Sequence, residues 1–321
     1  MIYPLPEKKK KNLIYRFWKA LKRDWQLYLI ILIPVVYTLI FNYGPMYGIQ
    51  IAFKKFSPRL GIIGSPWVGL KWFKQFLSQP QFLTVFLNTL LLSCYGLFIC
   101  FPIPVFFALI VNTIRNKHLK KTVQTISYMP HFISVTVAVS ILLMVLSPIN
   151  GLYGNLYRAF GGFGDPTDFR YSSVAFRHLY IWSGVWQHLG WDSIIYLAAL
   201  TSVPQELHEA AQLDGASRFK RILYVDIPAI LPQICILLIL RCGSLVSIGF
   251  EKVYLMQAPG GQNLETAEVI STYMYKVGFR SWSSFSYGSA IGLFNSIINI
   301  ASLLTVNFIS KKLSDNEISL F

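Results

Sequence analysis

Residues Gln205–Pro232, QELHEAAQLDGASRFKRILYVDIPAILP, form a polar, charged segment set between two long apolar runs. Gln205 to Leu213 consists of good helix formers, Asp214-Gly215 supplies a stop, and Ala216 to Tyr224 restarts a helix that runs on to Pro228. The segment therefore reads as two short helices meeting at a glycine. Ala210 and Ala211 leave one face nearly bare, open to close approach by another surface, and Glu209 offers a carboxylate to a cation. A helical knob of this kind, carried between two membrane spans, is a docking element.

Composition says what surrounds it. Of the 321 residues 54% are hydrophobic and only 13% charged, against about 25% charged in a soluble domain. The chain reads as an all-α, polytopic membrane protein whose length is spent on helices. The net charge of +15 would suit a nucleic-acid binder, but its distribution does not require one. Lys8 to Lys11, Arg16, Lys19, Lys22 and Arg23 precede the first apolar run; Arg115, Lys117, Lys120 and Lys121 crowd a short turn; Arg218, Lys220 and Arg221 lie in the polar loop; Lys311 and Lys312 follow the last run. These are alternate connections, the pattern of the positive-inside rule, so the membrane and its lipids are the partner and nucleic acid is not. Cys94, Cys100, Cys235 and Cys242 all fall in apolar runs without metal-ligand spacing and read as small buried thiols.

The spans are predicted at about 27–43, 82–111, 122–146, 176–202, 229–249 and 285–309, within a six-span membrane domain 27–310. A basic, aromatic tail, 1–26, lies on the inner leaflet; the polar loop occupies 203–228, and a second tail 311–321. The first run is followed by Asn42-Tyr43-Gly44-Pro45 rather than a small-residue cleavage site, so it reads as an uncleaved anchor. Six spans put both termini in the cytoplasm. Pro102 and Pro104 kink the second span, Pro130 breaks the third, and 44–80, 147–175 and 250–284 are outer loops.

Polar groups inside spans are costly and are functional candidates. The fourth span carries Trp182, Trp186, Gln187, His188, Trp191 and Asp192. Trp182 and Trp186 share a helix face, as do His188 and Asp192. Aromatic planes beside hydrogen-bonding groups suit sugar rings, whose C–H faces stack and whose hydroxyls need partners; an interfacial aromatic belt with a structural polar pair accounts for the same residues. Arg241 lies roughly 18 Å from the inner end of the fifth span by helical rise. It either pairs with Asp192 to offset burial of both or lines a wet cavity and meets an anionic substrate group. Gly288, Gly292, Asn295 and Asn299 share a face of the sixth span and read as helix packing.

The spacing Glu-Ala-Ala, three residues, Gly, nine residues, Ile, one residue, Leu-Pro resembles the cytoplasmic loop of permease subunits in ABC-type importers. Glu209, Ala210, Ala211, Gly215 and Pro228 match it directly, and Val225 and Ile227 are conservative departures. In that family the loop is a coupling helix seated in the ATPase subunit, which the resemblance assigns to Glu209–Leu213, with Asp214 and Gly215 ending it. Trp67–Phe73 and Phe86–Thr89 resemble stretches of sugar-uptake permeases in general, and Thr266–Phe279 and Phe285–Asn299 resemble one branch, importers of complex oligosaccharides such as alginate and pectic rhamnogalacturonan fragments. The resemblance implies a type I ABC importer permease fold with six transmembrane helices in the bacterial plasma membrane. It also implies a heterodimer with a second homologous permease, an ATPase subunit dimer and an extracytoplasmic solute-binding lipoprotein.

No phosphate-binding loop, nucleophile elbow or zinc motif occurs. The expectation is a non-enzyme without a cofactor of its own, ATP and Mg belonging to the partner ATPase. The substrate pathway is expected at Trp186, His188, Trp191, Asp192 and Arg241, for an oligosaccharide, acidic and pectic by the branch resembled. The rival reading is an ion-coupled secondary sugar transporter, which would have inverted repeats between its halves; none is evident.

Overall fold

A computed structural model describes residues 21–279 and 284–313; most of the basic tail, residues 1–20, and 314–321 lie outside the described residues. Among the described residues there is no strand, only the isolated bridges Lys54–Trp67 and Ser57–Gly61.

The helices in chain order are α1 (Trp25–Phe53), α2 (Lys71–Leu77), α3 (Pro80–Asn112), α4 (Lys117–Phe132), α5 (Val135–Val145), α6 (Leu152–Ala159), α7 (Ser173–Thr201), α8 (Gln205–Leu213), α9 (Arg218–Gly243), α10 (Phe250–Met256), α11 (Leu264–Ala267), α12 (Ile270–Gly278) and α13 (Phe285–Leu313). Among the described residues α1, α3, α9 and α13 are long and apolar enough to cross a membrane, and α4 with α5 makes a fifth such unit bent by 102°. The 29-residue α7 has the length of a span, about 43 Å by helical rise, but its polar residues keep it out of that apolar set.

Several boundaries differ from the sequence reading, each for a local reason. α1 does not end at residue 43. It passes through a π turn, Leu39–Tyr43, and Pro45 sits in the first turn of the next helical piece, where a missing N–H leaves no bond unmade. The loop predicted from residue 44 therefore starts after Phe53. Proline acts as expected in α3, which breaks at Phe101 ahead of Pro102, and in the predicted third span, where Pro130 opens the 3-10 turn Met129–Phe132 before the bend. Ser134 restarts the chain by accepting from Val137 N at 3.3 Å, and Gln187 Nε2 on α7 donates to Ile133 O at 2.9 Å. The break is thus satisfied by a neighbouring helix.

The largest correction concerns 250–284. Rather than an irregular loop, its described residues supply α10, α11 and α12; Val253, Met256, Ala267 and Val269 are buried in one cluster with Leu92 of α3, Val139 of α5 and Phe176 and Ile181 of α7, and Ile270 in another with Phe76 of α2 and Val85 of α3. Asn88 fastens this segment to α3. Its Nδ2 donates to Glu265 O and Glu268 O at 2.8 and 3.1 Å, and its Oδ1 accepts from Arg177 of α7 at 2.9 Å.

Lipid tails give helices little apolar reason to associate, so close backbone approach and buried hydrogen bonds do more of the work. At Gly190 of α7, a Cβ would fall 2.2 Å from the Ser127 carbonyl oxygen of α4. At Gly288 of α13 it would fall 2.9 Å from Gly278 Cα of α12. Asn299 serves packing as well: it accepts from Val246 N at 3.0 Å and donates to Ser247 Oγ at 2.7 Å, covering the chain just past the end of α9.

Candidate functional site

The first candidate is α8. Its carboxyl end closes on Gly215 at φ +75°, with Gly215 N donating to Gln212 O and Ala216 N to Ala211 O, a left-handed stop that a side chain would strain. Ser217 then caps the next turn by accepting from Lys220 N. Leu207, Glu209, Ala210, Leu213 and Asp214 are exposed and Ala211 is half-buried. Leu213 is 90% exposed, so an apolar side chain at the helix end has nothing of its own chain to cover it. Glu209 accepts from Gln205 Nε2 at 2.9 Å, one turn back, and its remaining oxygen is available to a cation.

Two side-chain contacts tie this knob to α9, one of them Arg221 Nη1 donating to Gln212 Oε1 at 3.5 Å. His208 Nε2 lies 3.5 Å from Oδ1 of the buried Asp226. Asp226 ends the π turn Ile222–Asp226, which directly precedes Ile227 and Pro228, so Val225, Ile227 and Pro228 form the root of α9. The extra residue in the π turn accommodates a proline in the next helical turn.

The second candidate is a cavity of about 280 Å³ between α3, α7, α9 and α10, lined by Cys100, Tyr180, His188, Asp192, Arg241 and Lys252 among others. A second, of about 270 Å³, is lined by Trp191, Tyr196 and Leu237 and shares Cys100, Pro104, Asp192 and Arg241 with the first. Asp192 and Arg241 thus stand at the junction of two chambers. No ion pair within 4.0 Å joins them, and Arg241 is exposed to the open space.

His188 Nδ1 lies 3.1 Å from His131 Nδ1, and His131 stacks on Trp191 with ring centroids 4.2 Å apart and planes 2° apart. The bend between α4 and α5 is therefore set against the cavity wall. Trp186 is not part of this arrangement: it is 46% exposed and lines neither cavity. The sequence reading omitted Lys252, because it placed residue 252 in a loop. Its Nζ donates to Tyr180 O at 2.9 Å and lies 4.7 Å from the Tyr180 ring centroid. The signal available was the buried pair Val253 and Met256, three residues apart, too short a run for helical periodicity to register.

Comparison with known proteins gives the family. Residues 82–315 match the model of the family described as the binding-protein-dependent transport system inner membrane component. Protein LplB of Bacillus subtilis (strain 168) is 41% identical over 91% of this chain and 91% of its own length. The polygalacturonan/rhamnogalacturonan transport system permease protein YteP of the same organism is 40% identical over 97% of this chain and 94% of its own. A solved bacterial ABC transporter involved in the import of the acidic polysaccharide alginate superposes with a TM-score of 0.83 at 38% identity, covering 93% of this chain and 99% of that one. The bacterial alginate ABC transporter in complex with an alginate pentasaccharide-bound periplasmic protein gives 0.84 at 36% identity, covering 95% and 100%. The chain therefore belongs to the family of binding-protein-dependent transport inner membrane components and is the membrane-embedded, non-enzymatic permease subunit of an ABC sugar importer.

Proposed function

We propose that this permease forms half of the translocation pathway for an acidic oligosaccharide of pectic type, handed over by an extracytoplasmic solute-binding lipoprotein. The observation that carries the reading is Arg241, a cation in the last turn of α9 that is exposed to a cavity and not held in an ion pair within 4.0 Å by the Asp192 carboxylate on the same wall. A cation inside a membrane bundle and outside a close ion pair is costly unless water or an anionic solute meets it. Trp191, His188 and Asp192 on the same walls supply a stacking plane and hydrogen-bonding groups for sugar hydroxyls. The polygalacturonan/rhamnogalacturonan permease and the alginate importers, similar over nearly the whole chain, act on or carry acidic polysaccharides.

The second permease would cover α1. No residue in the apolar window of that helix is buried on its own chain, and Asn42 presents an amide that lipid would leave unpaired. On the cytoplasmic side, with both termini, α8 enters the ATPase subunit dimer. ATP and Mg bind there; closing of that dimer draws the coupling helices together and turns the pathway outward, and hydrolysis resets it. The short, capped α8, tied through His208 to Asp226, is stiff enough to carry the motion to α9.

The test is purification of the tagged chain from its native membrane, mass spectrometry of what remains bound, and an ATPase assay with candidate sugars. Recovery of an ATPase, a second permease and a binding protein, with hydrolysis stimulated by galacturonate oligomers, is expected. Recovery of the chain alone, or stimulation by neutral oligosaccharides only, overturns the proposal.

A further inference from the structure

We propose that Lys252 is a specificity-determining residue of the pathway, acting with Arg241 as a two-cation subsite for a sugar carboxylate. This rests on the reading of the cavity as the sugar pathway and adds to it a residue from a segment that by sequence is an outer loop.

The geometry is built by folding α10 back against α7. Val253 and Met256 are buried beside Phe176 and Ile181, and this fixes the helix so that Lys252, one residue before Val253, opens into the cavity. Of the three donors of its ammonium, one is taken by Tyr180 O at 2.9 Å, and the Tyr180 ring holds the same nitrogen at 4.7 Å. No carboxylate lies within 4.0 Å of it among the described residues. Gly184 gives it room, since a Cβ there would stand 3.3 Å from Nζ.

Charge accounting for the cavity then points to its occupant. The lining holds the cations of Arg241 and Lys252 and the single carboxylate of Asp192, so one positive charge remains without a fixed partner. A neutral sugar has nothing to offer it. A uronate supplies a carboxylate that accepts from the guanidinium fork and the ammonium, while its hydroxyls find His188 and Asp192. A lysine already held by a carbonyl and a ring loses little freedom when the anion arrives.

The experiment uses the assembled permease–ATPase complex in nanodiscs without binding protein, titrated calorimetrically with trigalacturonate and with its fully methyl-esterified form, which has the same rings and no charge. Tighter binding of the acid by the wild-type complex is expected. Lys252→Gln keeps a donor for Tyr180 O and removes the charge; it is expected to weaken acid binding about tenfold or more, leave the ester unchanged, and be rescued by Lys252→Arg. Unchanged acid binding in Lys252→Gln, or equal loss for acid and ester, overturns the role of Lys252 alone. Equal affinity of the wild-type complex for the two probes also overturns it, whether or not the variant assembles. Binding of neither probe overturns the pathway reading itself.

Discussion

The two candidate sites, the α8 segment and the cavity, are made in opposite ways. α8 and its Gly215 stop are contiguous, largely exposed and held mostly by bonds within a few residues, with His208–Asp226 and Gln212–Arg221 as longer ties to α9. The cavity is gathered from α3, α7, α9 and α10, and residues as far apart as Cys100 and Lys252 face the same space. A local element depends on backbone conformation and surface chemistry. A gathered one depends on how closely helices approach.

Substitutions can break that contrast, and the largest effect is expected where helices touch. Gly190→Ala puts a methyl group against the Ser127 carbonyl, and neither backbone can give way without moving α4 from α7. Loss of about 3 kcal/mol of stability is expected, read as a lower melting temperature of the purified permease. A variant that melts like wild type would show that the cavity walls are not set by this crossing.

At α8, the expected damage is to assembly instead of stability. Glu209→Ala and Leu213→Asp should each reduce copurified ATPase by an amount equivalent to about 2 kcal/mol of binding, with membrane insertion and melting unchanged. Normal ATPase recovery with normal uptake would remove α8 from the docking role.

A smaller, selective loss is expected at the cavity. Arg241→Ala should lower the uptake of trigalacturonate about tenfold while a neutral oligosaccharide is carried as before. Equal losses for both would return Arg241 to a structural part.

The mildest change is Gly215→Ala. Space around it is open, so the whole cost is the left-handed φ of +75°, about 1 kcal/mol, detectable as a slightly reduced ATPase yield. A loss as large as that of Gly190→Ala would mean that Gly215 is also a packing position, and the contrast between the two regions would fail.

How much was legible follows the same division. The short helix Gln205–Leu213 and its Gly215 stop could be read directly because helix formers and a following glycine act within a few residues. Asp192, His188 and Arg241 could be read as candidates because polarity inside an apolar run is visible without any fold. Their mutual arrangement could not: an ion pair and a shared cavity were both open for Asp192 and Arg241, and helical rise alone gives depth but not the angle at which two helices face each other. Trp186 looked equivalent to Trp191, yet only Trp191 has a partner ring in His131, brought by the bend after Pro130.

By itself the sequence determined the all-α membrane class, the proline breaks and the short helix with its Gly215 stop, since each depends on composition or on neighbours within about one helical turn. The tertiary structure alone decided that 250–278 folds inward, that Lys252 joins Arg241 and Asp192, and that Trp186 stays outside. Those outcomes depend on close approach at points such as Gly190–Ser127 and on bonds such as Asn88 to Glu265 and Glu268, between residues far apart in the chain. Short amphiphilic helices carry too few residues to show which face they will bury, and only their neighbours supply that answer.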